Sequence, residues 1–223
     1  MKPIFIIGNW KSNKETSEAN AWLAEAKQLL SQTPIEKQKE VVVCAPFTLL
    51  SLVCSFVSEH TLSLHVGAQD ISPFTNGAYT GEICAKQVKE FATHVIIGHS
   101  ERRRFFGETD TMLAEKVKQA LAQGIAPIYL VQSENDPIPQ GVTMVGYEPV
   151  GAIGTGHPDS PKNAEEIAIK IKEKNPYVDY VLYGGSVTAE NVASFTGLAH
   201  INGVIPGGAS LTPDSFFALV HNA

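Results

Sequence analysis

Cysteine is scarce and scattered in this chain of 223 residues: Cys44, Cys54 and Cys84 are odd in number and show no CxxC spacing. That pattern excludes a disulfide frame and a zinc knuckle, leaving reduced thiols that fill the core. Long apolar runs are missing too, none approaching the ~18 residues that a membrane-crossing helix needs. There is no excess of positive charge, since 17 Lys and Arg against 23 Asp and Glu give a net charge of −6. The one basic run, Arg102 to Arg104, is too short to follow a nucleic-acid backbone. The histidines His60, His65, His94 and His157 have no ligand spacing, so no metal is expected. No Pro-, Gly- or Ser-rich stretch reads as a linker, which makes residues 1–223 one expected domain. The opening "MKPIFIIGNWK" holds only five consecutive apolar residues, short for the core of a signal peptide, and a cytoplasmic location is the expectation.

What is present is alternation. Short β-branched runs at 4–8, 41–45, 62–69, 94–98, 125–131, 142–147, 180–185 and 201–205 read as strands. Between them lie segments of helical period. Trp22, Leu23, Ala26, Leu29 and Leu30 make one apolar stripe, and Met112, Leu113, Val117, Ala120 and Leu121 another. Ser160-Pro161 and Thr212-Pro213 each offer an N-cap followed by a first-turn proline. Eight β/α units in ~200 to 250 residues suit a closed (β/α)8 barrel, an α/β fold of parallel strands, although pattern alone also admits an open doubly wound sheet. One unit is reduced: only ten residues, "QSENDPIPQG" (132–141), join the fifth and sixth strands, and Pro137 and Pro139 forbid a regular helix there. The fifth helix is expected to be largely absent.

In such a barrel the chemistry belongs at the C-terminal ends of the strands. Those ends are polar here: Asn9 and Lys11, His99 and Glu101, Glu148, then Gly184, Gly185 and Ser186, then Gly207 and Gly208. Singly, each has an ordinary explanation, such as a solvated lysine, a structural histidine or a glycine turn. Together they fall at one end of one barrel. Gly154, Ser186, Gly207 and Gly208 offer small residues whose N–H groups can hold a phosphate. Asn9, Lys11, His99 and Glu148 offer a base and donors for a developing oxyanion, the equipment for removing a proton next to a carbonyl.

The segments "GNWK" (8–11), "GHSERR" (98–103), "YEPVGAIGTG" (147–156), "YGGSV" (183–187) and "GGASL" (207–211) resemble, in order and along the whole chain, the triosephosphate isomerase family. The family is a standard case of pKa tuning with a glutamate base and a neutral histidine. The resemblance implies a cofactor-free isomerase that interconverts dihydroxyacetone phosphate and glyceraldehyde 3-phosphate. Glu148 would be the base, His99 the electrophile, Lys11 the source of positive charge, Asn9 a further donor and Glu101 a support for the lysine. Pro149, Val150, Gly151, Ala152, Ile153, Gly154, Thr155 and Gly156 would form a lid, with Ile153 and Ile205 covering the base. Gly151 stands where the family usually has tryptophan, and Ser133 where that indole's glutamate partner usually stands, so the lid is expected to close with less guidance. His157 and Pro206 depart from the pattern as well. The segment 69–82 resembles a loop that enters a partner subunit, with Phe74 and Thr75 at its tip, implying a homodimer or, with so little of helix five, a tetramer. The alternatives are a non-catalytic sugar-phosphate binder and another phosphate-binding barrel enzyme.

Overall fold

A computed structural model of the chain describes residues 2–149 and 158–223. Eight parallel strands close into a barrel in sequence order: β1 Ile4–Asn9, β2 Lys39–Ala45, β3 His65–Ala68, β4 His94–Ile97, β5 Ala126–Val131, β6 Met144–Tyr147, β7 Tyr180–Tyr183 and β8 Ile201–Val204. β8 returns to β1 through Phe5 opposite Gly203 and Ile6 opposite Val204. Gly203 permits this closure, because a Cβ there would sit 1.9 Å from the Phe5 carbonyl oxygen. The helices are α1 Thr16–Gln32, α2 Leu50–Glu59, α3 Ala85–Val88, α4 Ser100–Phe106, α5 Asp110–Ala122, α6 Pro161–Lys174, α7 Val192–Thr196 and α8 Pro213–Asn222, with 3₁₀ turns at Phe47–Leu49 and Gly208–Ser210.

Strand alternation separates two apolar layers. Phe5, Ile7, Val42, Cys44, Ile96, Ile128, Leu130, Met144 and Leu182 fill the barrel interior. Ile4, Ile6, Val41, Val43, Val95, Tyr129, Val145, Val181 and their neighbours meet the surrounding helices. The same parity carries the chemistry upward. Asn9 follows Phe5 and Ile7 on the inner face, and Glu148 follows Met144 and Gly146.

All eight expected strands are present, but the third begins at His65 and not at residue 62. The chain is still turning there: Thr61 has φ 49 and the Leu62 N–H donates to the Val57 carbonyl. The expected loss of helix five holds, with no helix between β5 and β6. Asp136 organises that segment by accepting from the Gln132 N–H at 2.7 Å and the Ser133 hydroxyl at 2.7 Å, and Lys170 and Lys174 of α6 reach across to Glu134. Ser160 caps α6 as expected, accepting from the Asn163 N–H at 3.1 Å. Thr212 does not cap α8 with its side chain; its hydroxyl pairs with Ser215. The α5 stripe is narrower than its sequence suggests, because Met112 and Leu121 are exposed at its edges. Cys44 and Cys84 are buried and Cys54 is half-buried.

A candidate active site at the C-terminal end of the barrel

Lys11 follows β1 in a backbone conformation that a lysine rarely adopts, with φ 52. Two side chains hold it there. The Lys11 N–H donates to Asn9 Oδ1 at 3.0 Å, and Gln69 Nε2 donates to the Lys11 carbonyl at 2.8 Å and to the Cys44 carbonyl at 3.0 Å. Lys11 Nζ meets Glu101 Oε1 at 2.6 Å. Strain tolerated next to a cleft is a mark of function.

His99 lies two residues past β4 and caps α4. Its Nδ1 accepts the Glu101 N–H at 3.1 Å, so the ring proton is carried on Nε2. That nitrogen lies 3.2 Å from Glu148 Oε1, and Glu148 Oε2 accepts the Ser100 N–H at 3.1 Å. Glu148 is only 3 % exposed. Burial, the largest influence, raises its proton affinity above that of an ordinary carboxylate, while His99, Ser100 and Lys11 pull the other way.

Asn9, Lys11, His99 and Glu148 line one cavity of about 610 Å3, together with Gly184, Gly185, Ser186, Ile205, Gly207 and Gly208. The glycines are there for space. A Cβ on Gly184 would lie 3.0 Å from Glu148 Cγ, and one on Gly185 would lie 2.1 Å from the Tyr183 hydroxyl. The loop carrying Gly207 and Gly208 is pinned from below, because Trp10 Nε1 at 3.1 Å and Trp22 Nε1 at 3.2 Å both donate to the Ser210 carbonyl. The Ser210 hydroxyl donates back to the Gly207 carbonyl at 2.6 Å. This end of the cavity presents backbone N–H groups and Lys11 to an anion; the other end presents a buried carboxylate beside an imidazole.

Of the sequence-predicted site residues, Asn9, Lys11, His99, Glu148, Ser186, Gly207 and Gly208 meet in this cavity, and Glu101 reaches it through Lys11. Ile205 lines it as well. Pro149 is described, but Val150, Gly151, Ala152, Ile153, Gly154, Thr155, Gly156 and His157 lie outside the described residues, so the lid and the phosphate role of Gly154 rest on sequence alone. Phe74 and Thr75 are exposed at the tip of their loop. Sequence reading missed Gln69, Trp10, Trp22 and Ser210, whose contacts join segments 25 to 200 residues apart. It also missed a buried charge cluster beneath α4, in which Lys116 Nζ lies 2.5 Å from both Asp70 and Glu108 while Arg102 reaches the same two carboxylates at 2.9 and 2.6 Å. Among the described residues no group of three or more His, Cys, Asp or Glu is placed to hold a metal ion, and no helix is long and apolar enough to cross a membrane.

The family model described as triosephosphate isomerase matches residues 4–223. Curated relatives bearing that name include one from Thermus thermophilus, 36% identical over 255 residues with all of both chains covered. Another, from Synechocystis, is 37% identical over 244 residues with 99% of each covered. Among solved structures, the triosephosphate isomerase from Bartonella henselae superposes with a TM-score of 0.84 at 29% identity, covering all of both chains.

Proposed function

This chain belongs to the triosephosphate isomerase family and catalyses the interconversion of dihydroxyacetone phosphate and D-glyceraldehyde 3-phosphate, and we propose that Glu148, His99, Lys11 and Asn9 carry the reaction. The observation supporting this assignment is the buried pair Glu148 and His99, 3.2 Å apart at one end of a cavity whose other end is built for an anion.

In this reading Ser186, Gly207 and Gly208, with Gly154 of the lid, hold the phosphate through N–H groups. Glu148 exchanges its bonds to Ser100 and His99 for the carbon beside the substrate carbonyl, removes a proton and returns it to the neighbouring carbon. The Nε2–H of His99, released by that movement, donates to the oxygen on which charge develops. That oxygen takes the ring proton while the hydroxyl on the neighbouring carbon returns its own to the same nitrogen, so carbonyl and hydroxyl exchange places and the imidazole ends as it began. Lys11 and Asn9 stabilise the same oxygen, and Glu101 keeps the lysine pointed at the cavity. Residues 149–156 close over the site and exclude water, which keeps the carboxylate basic and protects the enediolate from phosphate loss. An isomerase assay coupled to a dehydrogenase tests the assignment: Glu148→Gln should lose activity by about 10²–10⁴-fold, and a fully active variant would remove Glu148 from the role of base.

We further propose that residues 1–223 form one domain, that the protein works in the cytoplasm, and that it is a homodimer, with a tetramer as the second possibility. Supporting the assembly, Phe74 and Tyr79 stack at 4.3 Å while each is more than 40 % exposed, and Phe105 and Phe106 of α4 are about two-thirds exposed. Exposed aromatics grouped in this way mark contact surfaces. Light scattering at micromolar concentration tests it, and a stable, active monomer would defeat it.

A further inference from the structure

We propose that Leu130 is a positioning residue for the reaction: it leans into the space that Gly146 leaves empty and forms there the dry floor beneath the base, Glu148. This inference deepens the role given above to Glu148 and rests on it.

Gly146 and Glu148 share the inward face of the barrel, two residues apart, so whatever fills the place of a side chain at 146 lies one layer below the base. Gly146 itself fills none of it. A Cβ there would collide with Leu130 Cδ2 and would lie 2.5 Å from Ile205 Cδ1. The register sets Leu130 of β5 and Leu182 of β7 on either side of Gly146, and of these two it is Leu130 whose side chain enters the gap. Leu130 is fully buried in the interior layer with Ile128, Met144 and Leu182, while Ile205 extends upward to line the cavity.

Glu148 directs its carboxylate oxygens to His99 and to the Ser100 N–H. Its stem lies against Gly184, where a Cβ would come 3.0 Å from Glu148 Cγ. The layer below is hydrocarbon, and Leu130 closes it where Gly146 would leave a hole. An apolar hole stays empty, but one roofed by a carboxylate gives a water an acceptor to donate to. Such a water would favour the charged carboxylate and undo part of the burial that raises its proton affinity. The missing side chain at 146 and the leucine at 130 therefore act as one fitted pair.

Kinetics and urea unfolding of the whole protein test the inference. Leu130→Ala should lower kcat about tenfold, while inhibition by inorganic phosphate stays within about twofold. The stability gap between a protein and its Glu148→Gln counterpart, read from pH 4 to pH 8, should widen about half as much or less when both carry Leu130→Ala. Gly146→Ala alone collides with the intact leucine and should also lower kcat. Added to Leu130→Ala it returns a carbon to the same space and should recover about threefold of the lost kcat. Leu130→Ala with kcat within about twofold of the unaltered protein, a gap that widens as before, phosphate inhibition that weakens in step with kcat, or losses that multiply in the double variant would each overturn the proposal. Should Leu130→Ala fail to fold, Leu130→Val, which removes one carbon, decides: kcat should fall about threefold, and an undiminished value would refute the proposal. An unaltered protein with no isomerase activity would instead refute the role of Glu148.

Discussion

Replacing Glu148 by glutamine should raise the stability of the folded protein relative to the unaltered one as pH rises through and above the ordinary carboxylate range, while it cuts turnover. The carboxyl is 3 % exposed and burial raises its proton affinity, so ionising it inside the cavity costs more than ionising it in the unfolded chain. Below the ordinary carboxylate range both states hold the proton and the penalty vanishes. As pH rises through that range the unfolded chain releases its proton first, and stability falls until the folded group ionises too. Each unit by which burial raises the pKa corresponds to about 1.4 kcal/mol of this loss. Glutamine cannot ionise, so it escapes the penalty. It brings a constant cost, because one of its two ends must set an N–H donor against either the Ser100 N–H or the His99 Nε2–H, worth about 1 kcal/mol. That cost is the same at every pH and cancels when the stability difference between the two proteins at pH 8 is compared with that at pH 4. His94, which burial depresses to about 4, titrates in both proteins and cancels as well. Urea unfolding of both proteins across pH 4 to 8 measures the quantity. The variant should gain unfolding free energy on the unaltered protein as pH rises, read as a denaturant midpoint that moves upward relative to the unaltered protein's. A difference that does not vary with pH, or one that runs the other way, would show that His99, Lys11 and Ser100 outweigh burial and that the base is not destabilised in its cavity.

Two further outcomes follow from the geometry. Gly185→Ala places a Cβ against the Tyr183 hydroxyl and displaces the phosphate loop, so KM should rise by about tenfold or more in steady-state assays, with inhibition by inorganic phosphate weakened in parallel. Lys116→Met removes the more deeply buried of the two cations shared by Asp70 and Glu108, 46 and 8 residues away in sequence, and leaves Arg102 alone between two buried carboxylates, which should cost about 3–5 kcal/mol in denaturant unfolding. Because Glu108 Oε2 is already buried without a partner among the described residues, Lys116→Met with Glu108→Gln should recover part of that loss.

The barrel was legible because its signals are local. Each strand announces itself by β-branched residues, and inner-face parity places Asn9 and Glu148 at the mouth once the strands are known. The site's polar residues were legible for the same reason, since each directly follows a strand. Legibility ended where a contact joins distant segments. Nothing near Gln69 says that its amide will grip Lys11, and nothing near Trp22 says that its indole will share the Ser210 carbonyl with Trp10. Edges were illegible where tertiary context sets them, as at Thr61, whose left-handed turn delays β3, and at Met112 and Leu121, apolar by residue type and exposed by position.

Catalysis turns on one buried carboxylate that moves hydrogen between adjacent carbons. Converting dihydroxyacetone phosphate in deuterium oxide and reading the aldehyde product by proton NMR tests this directly. Deuterium should appear at carbon 2 of glyceraldehyde 3-phosphate with the unaltered protein, and both label and turnover should vanish together in Glu148→Gln. Continued turnover and labelling in that variant would mean that another group carries the proton.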